Sequence, residues 1–69
     1  MTSNANSLTL LRLHEVCRRT GKKRSSIYRD IAAGIFPAPV KLGERASAWP
    51  EHEVNAWIAE RIAARERAA

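Results

Sequence analysis

Residues 21–29 carry the densest set of anion-binding groups in this chain. The segment reads GKKRSSIYR, in which three cations are followed by two hydroxyls, a tyrosine and an arginine. Lys and Arg neutralise phosphate charge, and serine hydroxyls donate hydrogen bonds to phosphate oxygens. Of the 12 Lys and Arg residues, seven lie in residues 12–30, against two acids. The segment therefore predicts a local polyanion-binding surface, in a chain whose net charge is +5.

The other reactive side chains predict no catalytic or metal site. His14 and His52 are far apart in sequence and have no further ligands at zinc spacing. Cys17 is the only cysteine, which excludes an internal disulfide and fits a reducing cytosol. The chain has 69 residues and no Gly-rich phosphate loop or nucleophile motif. We therefore expect neither an enzyme nor a cofactor.

Two helices flank a glycine in the first half of the chain. Residues 13–20 have helical spacing, with Val16 and Cys17 on the apolar face, and Gly21 ends this helix. A second helix is predicted for residues 24–33, with Ile27 and Ile31 buried. Its outer face carries small polar residues where an ordinary solvated helix carries Glu and Lys. This composition favours close approach of a large ligand.

The second half predicts a hairpin and a third helix. Pro37 and Pro39 stiffen an apolar connector, and residues 40–42 and 45–49 alternate as two short strands around a turn. Pro50 is expected at the first position of a third helix, whose apolar face includes Trp57. Trp49 and Trp57 are expected in the core rather than on a ligand platform.

The predicted fold class is α+β and mostly α, a small winged helix-turn-helix. We expect residues 1–9 to form a disordered leader, with a short extended segment possible in residues 8–12. Residues 10–62 are expected to form the domain, and residues 63–69 to be a frayed helix end or to be ordered by a partner. Without a signal peptide or a 20-residue apolar run, a soluble cytoplasmic protein is expected.

In a winged helix-turn-helix, the second helix enters the major groove of double-stranded DNA and the hairpin contacts the backbone or minor groove. Arg29 is the first choice for a base contact, because Arg pairs bidentately with guanine. Arg18 and Arg19 are instead expected only to stabilise the end of the first helix. The predicted DNA-binding residues are Lys22, Lys23, Arg24, Ser25, Ser26, Tyr28, Arg29, Lys41 and Arg45.

The segments LLRLHEV, TG, RSSIYRDIAAGIFPAPVKLGERASAW and EHEVNAWI resemble the AlpA-type phage and prophage regulators. The resemblance covers roughly residues 10–60. These regulators are small winged-helix proteins related to excisionases and, more distantly, to the MerR-type head. The resemblance implies transcriptional control, or control of recombination direction, on a mobile element. It also implies that Tyr28 occupies a DNA-facing position.

Lys23 departs from the family pattern, which usually has serine there as a helix cap. Lysine cannot accept a hydrogen bond from the free amides, and loss of the cap costs about 1 kcal/mol. Either Ser25 caps the helix and starts it later, or a bound phosphate relieves the unfavourable charge. We expect the second outcome, with Lys22 and Lys23 acting on DNA.

Three functional hypotheses stay open at this point. The first is a sequence-specific transcriptional regulator of a phage, prophage or other mobile element. The second is an excisionase that bends DNA for recombination. The third, from a different class, is a basic module that docks on an acidic protein. A monomer this small reads few base pairs, so DNA specificity predicts repeated sites, self-association or a partner.

Overall fold

The computed structural model describes residues 8–68. Of the disordered leader predicted for residues 1–9, residues 1–7 lie outside this range. The elements in chain order are β1 (Leu10–Leu11), α1 (Leu13–Thr20), α2 (Arg24–Ala32), β2 (Val40–Lys41), β3 (Ser47–Pro50) and α3 (Glu51–Ala68). The predicted class, α+β with mostly helical content, is confirmed.

Helix α1 and the turn after it follow the local sequence signals. Val16 is fully buried, and Leu13 and Cys17 pack against the same core. Gly21 has φ 75°, and its N–H donates to the Cys17 carbonyl at 2.8 Å. Glycine adopts this left-handed conformation without the steric penalty that a Cβ brings. The chain can therefore leave α1 and turn directly into α2.

Helix α2 is anchored by Ile27, which is fully buried, and by Ile31, which packs against the core. Its carboxyl end is closed by the backbone, because the Asp30 carbonyl accepts hydrogen bonds from the N–H groups of Ile35 and Phe36. Gly34, at φ 76°, supplies the reversal that makes these bonds possible. The two glycine stops predicted from the sequence are thus confirmed.

A three-stranded antiparallel sheet has the order β1-β3-β2. We call β2, β3 and the turn between them the wing. Across the wing Val40 is opposite Ala48, and on the other side of β3 Leu11 is opposite Trp49. The hairpin and the extended segment before α1 were predicted. The pairing of β1 with β3 was not, because it joins segments nearly forty residues apart.

The start of α3 corrects one prediction. Pro50 is the last residue of β3, opposite Leu10, and the helix begins at Glu51. The pairing with β1 extends β3 to the proline, and the Glu51 N–H donates to the Thr9 carbonyl at 2.8 Å. Helix α3 continues to Ala68. The fraying expected over residues 63–69 stays a prediction.

Two tryptophans attach the proline connector to the rest of the domain, as expected for core residues. Trp49 is fully buried, and its Nε1–H donates to the Pro37 carbonyl at 2.9 Å. The Trp57 Nε1–H donates to the Ile35 carbonyl at 3.0 Å. Between them Phe36 is buried and meets the Trp57 ring edge-on, with centroids 5.1 Å apart. These contacts fix the path of the connector between α2 and the wing.

Glu15 connects α1 to α3 through an arginine. Arg19 lies 2.9 Å from the Glu15 carboxylate and 3.0 Å from that of Glu51, and Arg18 also binds Glu15. The hydrogen bonds from Arg18 and then Arg19 lower the pKa of Glu15 from 4.5 to about 2. Arg19 therefore does more than stabilise the end of α1, whereas the contact of Arg18 lies within that helix.

Trp49→Phe should lower the free energy of unfolding by about 2 kcal/mol, because it leaves a void and an unpaired Pro37 carbonyl. Urea unfolding followed by circular dichroism measures the change. Trp57→Phe is the matched control and should have a smaller effect, since its hydrogen bond is exposed and water can replace it. Equal losses in the two variants would contradict the central role given to Trp49.

Acid should weaken the fold through Glu15. Its pKa is lower in the folded chain than in the unfolded chain, so its contribution is complete above about pH 4.5 and is lost as the pH falls towards about 2. The thermal midpoint of Glu15→Gln should change less over this interval than that of the wild type. If both proteins lose stability in parallel, other carboxylates dominate the acid response.

Candidate nucleic-acid interface

Helix α2 presents one exposed face. At 100° per residue, Arg24, Tyr28, Ser25 and Arg29 occupy a continuous arc of about 140°, and each of them is exposed. The predicted site residue Ser26 lies at the margin of this arc and is half-buried. Ile27 points the other way, into the core, and holds the exposed face in a fixed orientation. From Arg24 to Arg29 the face extends along about one and a half helical turns.

Arg29 is a long and highly exposed side chain on this face. Its side chain is 73% exposed, and its only ion contact among the described residues is 3.7 Å, from Nε to the Asp30 carboxylate. A contact of that length constrains the guanidinium little. Arg29 therefore keeps both terminal nitrogens available for a ligand.

The amino end of α2 has no side-chain cap. Lys23 is the N-cap residue, with φ −76° and ψ 158°, and it makes no side-chain capping hydrogen bond. The helix begins at Arg24, so Ser25 lies within the first turn and does not start the helix later. The first turn also contains no acidic residue. The partial positive charge of this helix end is thus unopposed by the side chains of the first turn.

Lys22 differs from its neighbour in having an internal partner. Its Nζ lies 2.9 Å from an Asp30 carboxylate oxygen, and the two side chains are 26% and 10% exposed. The ammonium group also lies 6.0 Å from the centre of the Trp57 ring. The hydrogen bond from Lys22 is the main cause that lowers the pKa of Asp30. This ion pair ties the turn to the far end of α2.

Tyr28 has one packed side and one free side. Its ring centre lies 6.5 Å from that of Trp49, at an interplanar angle of 58°, yet the residue is 46% exposed. The contact with a fully buried tryptophan restricts the ring, while its outer part stays available. Packing and ligand contact are therefore compatible at this position.

A groove of about 490 Å³ lies between α1, α2 and the wing. We call it the basic groove; its lining residues are Arg12, Leu13, His14, Arg24, Tyr28, Arg45, Ser47 and Trp49. It brings Arg24 and Tyr28 of α2 together with Arg45 of the wing, three predicted site residues. Lys41 is exposed on β2 and is not among the lining residues.

Five lining residues were not among the predicted site residues: Arg12, Leu13, His14, Ser47 and Trp49. The Arg12 Nε–H donates to the Ser47 carbonyl at 3.1 Å, which joins the start of α1 to the wing. That contact spans 35 residues of sequence. The one available signal was the position of Arg12 at the edge of the cation-rich segment.

The described residues include neither a cluster of metal-ligand side chains nor a helix suited to cross a membrane. Across residues 8–68, no three His, Cys, Asp or Glu side chains are grouped so that they could hold a metal ion. None of the helices in this range combines the length and apolar character needed to cross a bilayer.

The comparisons with known proteins agree with this arrangement. Residues 9–62 match the family described as "Prophage CP4-57 regulatory protein (AlpA)". A protein of Enterobacteria phage P4, "Uncharacterized protein ORF88", is 49% identical over 57 residues, 83% of this chain. The match spans 65% of the length of that phage protein.

A second relative is the "DNA-binding transcriptional activator AlpA" of Escherichia coli K12. It is 29% identical over 65 residues, which cover 86% of this chain and 93% of the relative. No solved structure matches the chain. The resemblance stated from the sequence motifs is confirmed by the family match.

Substitutions of the two neighbouring lysines at the start of α2 should change the stability of the fold in opposite directions. Lys22→Met should lower the thermal unfolding midpoint by several degrees, because it leaves the nearly buried Asp30 without its partner. Lys23→Ser should raise the free energy of unfolding by about 1 kcal/mol, because serine can cap the free amides. Thermal and urea unfolding of the two variants measure both effects.

Asp30→Asn provides the control for Lys22. In the double variant Lys22→Met/Asp30→Asn, the loss should be smaller than the sum of the single losses, because no unpaired charge remains. Additive losses would show that the ion pair contributes nothing beyond each side chain's own packing.

Proposed function

Since this chain belongs to the AlpA family of prophage regulatory proteins, we propose that it binds specific sequences of double-stranded DNA in the cytoplasm. In this proposal it regulates transcription from a phage, prophage or other mobile element. Helix α2 enters the major groove, and the wing contacts the adjacent backbone or the minor groove.

The observation that carries this proposal is the exposed arc of α2 beside the wing. The major groove is about 12 Å wide and admits an α-helix. Arg24, Ser25, Tyr28 and Arg29 form a continuous surface for such a contact, and no acidic residue lies among them. Arg45 extends the positive charge from α2 onto the wing.

Each side chain takes the role that its surroundings allow. Arg29 is long, exposed and weakly paired, so it reads a base edge, with guanine as the preferred partner. Lys23, Ser25 and Ser26 lie at the uncapped amino end of α2, where a backbone phosphate is stabilised by the free amides. Lys41 and Arg45 bind phosphates beside the wing.

For Lys22, which was predicted to bind DNA, the ion pair with Asp30 favours a role in positioning α2. Its ammonium group is bound to Asp30, so moving it onto a DNA phosphate would leave a nearly buried carboxylate unpaired. We therefore assign Lys22 to positioning α2 and Lys23 to binding phosphate. The positive potential of both lysines still attracts the polyanion.

A regulator is preferred to an excisionase because the Escherichia coli relative is named a DNA-binding transcriptional activator. Specific control by so small a domain requires more base pairs than one α2 helix can read. We propose that repeated sites, occupied by several copies, supply the missing specificity.

Fluorescence anisotropy tests DNA binding directly. Purified protein is added to a labelled duplex from the upstream region of its own gene and, separately, to a labelled scrambled duplex, at several salt concentrations. Contact with 4–6 phosphates should give a slope of log K against log salt of about −4 to −5. Absence of binding to either duplex at about 50 mM salt would refute the proposal and favour an acidic protein partner.

Arg29→Ala should remove most of the preference for the upstream duplex, a loss of about 1–3 kcal/mol on that duplex alone. Lys23→Ala should weaken both duplexes to a similar extent and reduce the salt slope by about 0.9. Arg61→Ala, at an exposed site on α3, controls for the loss of one positive charge. An unchanged preference in Arg29→Ala would exclude this residue from base recognition.

A further inference from the structure

We propose that the basic groove holds one phosphate of the DNA backbone and that Arg12 is a phosphate-binding residue in it. This inference rests on the proposed function, since it names the part of DNA that a surface beyond α2 receives. The groove lies directly beside the exposed face of α2, because Arg24 and Tyr28 belong to both. A strand whose bases meet α2 therefore passes its backbone over the groove.

The charge of the groove lining suits an anion. Its eight lining residues include three arginines, Arg12, Arg24 and Arg45, and no Asp or Glu. Several arginines elsewhere have acidic partners; for example, Arg19 contacts Glu15, and Arg67 contacts Glu60. Within residues 8–68, none of the three groove arginines forms an ion pair, so their positive charge is uncompensated. These unpaired guanidinium groups repel one another, and binding of an external phosphate relieves the repulsion.

Arg12 is positioned for this role before any ligand binds. Its backbone is fixed as the residue between β1 and α1, and its Nε–H is held by the Ser47 carbonyl at 3.1 Å. This bond uses one of the five guanidinium N–H donors and leaves the four on the terminal nitrogens. Because the side chain is already ordered, less conformational entropy is lost when phosphate binds.

The aromatic side of the groove strengthens the interaction. Trp49 is fully buried beneath it, and the Tyr28 ring lies against Trp49. Apolar rings exclude water from one side of the bound anion, and a lower local dielectric strengthens its attraction to the guanidinium groups. The Tyr28 hydroxyl can donate a further hydrogen bond. A phosphodiester combines an anionic centre with an apolar sugar, which matches this mixed lining.

The test compares Arg12→Gln with Arg61→Gln in the full chain. Arg12→Gln should weaken binding to the upstream and the scrambled duplex by a similar factor of several-fold, and reduce the salt slope by about 0.9. Arg61→Gln removes the same charge from the exposed surface of α3 and should leave the slope near the wild-type value. Arg12→Lys keeps the charge and should restore the slope, which a purely structural role of Arg12 would not do.

A scan with single neutral methylphosphonates locates the phosphate. At one position of the bound duplex, neutralisation should weaken the wild type but not Arg12→Gln. If Arg12→Gln keeps the wild-type affinity and slope while Arg29→Ala loses specificity, the groove inference is wrong and DNA binding stands. If the wild type binds neither duplex, the proposed function fails. If each neutral phosphate weakens the binding of the wild type and of Arg12→Gln by the same factor at every position, the groove assignment is also wrong.

Discussion

The arrangement of α2 and the wing depends on the burial of Trp49. This side chain is on the central strand, pairs across from Leu11, and binds the carbonyl of Pro37 in the connector. Its ring also supports Tyr28 from below. One residue thus touches the N-terminal strand, the connector and the exposed helix. A small domain buries too little surface to form a second core, so the positions of these three parts all depend on Trp49.

Polar contacts supplement this core at the places where it is thin. Arg19 joins α1 to the start of α3, Lys22 joins the turn to the end of α2, and Arg12 joins α1 to the wing. All three are cations that a simple count of basic residues assigns to a DNA-binding charge. Two of them are occupied by carboxylates, whereas the partner of Arg12 within residues 8–68 is the neutral Ser47 carbonyl. Net charge alone therefore overstates the number of cations available to a polyanion.

The sequence predicted those features of the fold that local signals determine, such as helix ends. The bounds of α1 follow from apolar spacing and Gly21, and the start of α2 and its missing cap follow from Lys23. It could not predict the pairing of β1 with β3, and for that reason it misplaced Pro50. The basic groove was missed for the same reason, since Arg12 and Ser47 meet only in the folded chain. Spacing also gave no indication that Asp30, on the buried side of α2, binds Lys22.

The short edges of the sheet limit how copies of this protein can meet. Strands β1 and β2 have two residues each, so between residues 8 and 68 the sheet offers little unpaired backbone to another chain. Long exposed edges are the usual templates for aggregation. If copies occupy neighbouring DNA sites as proposed, the short edges let them lie side by side without merging their sheets. Their spacing would then be governed by the positions of the sites along the duplex and by side-chain contacts.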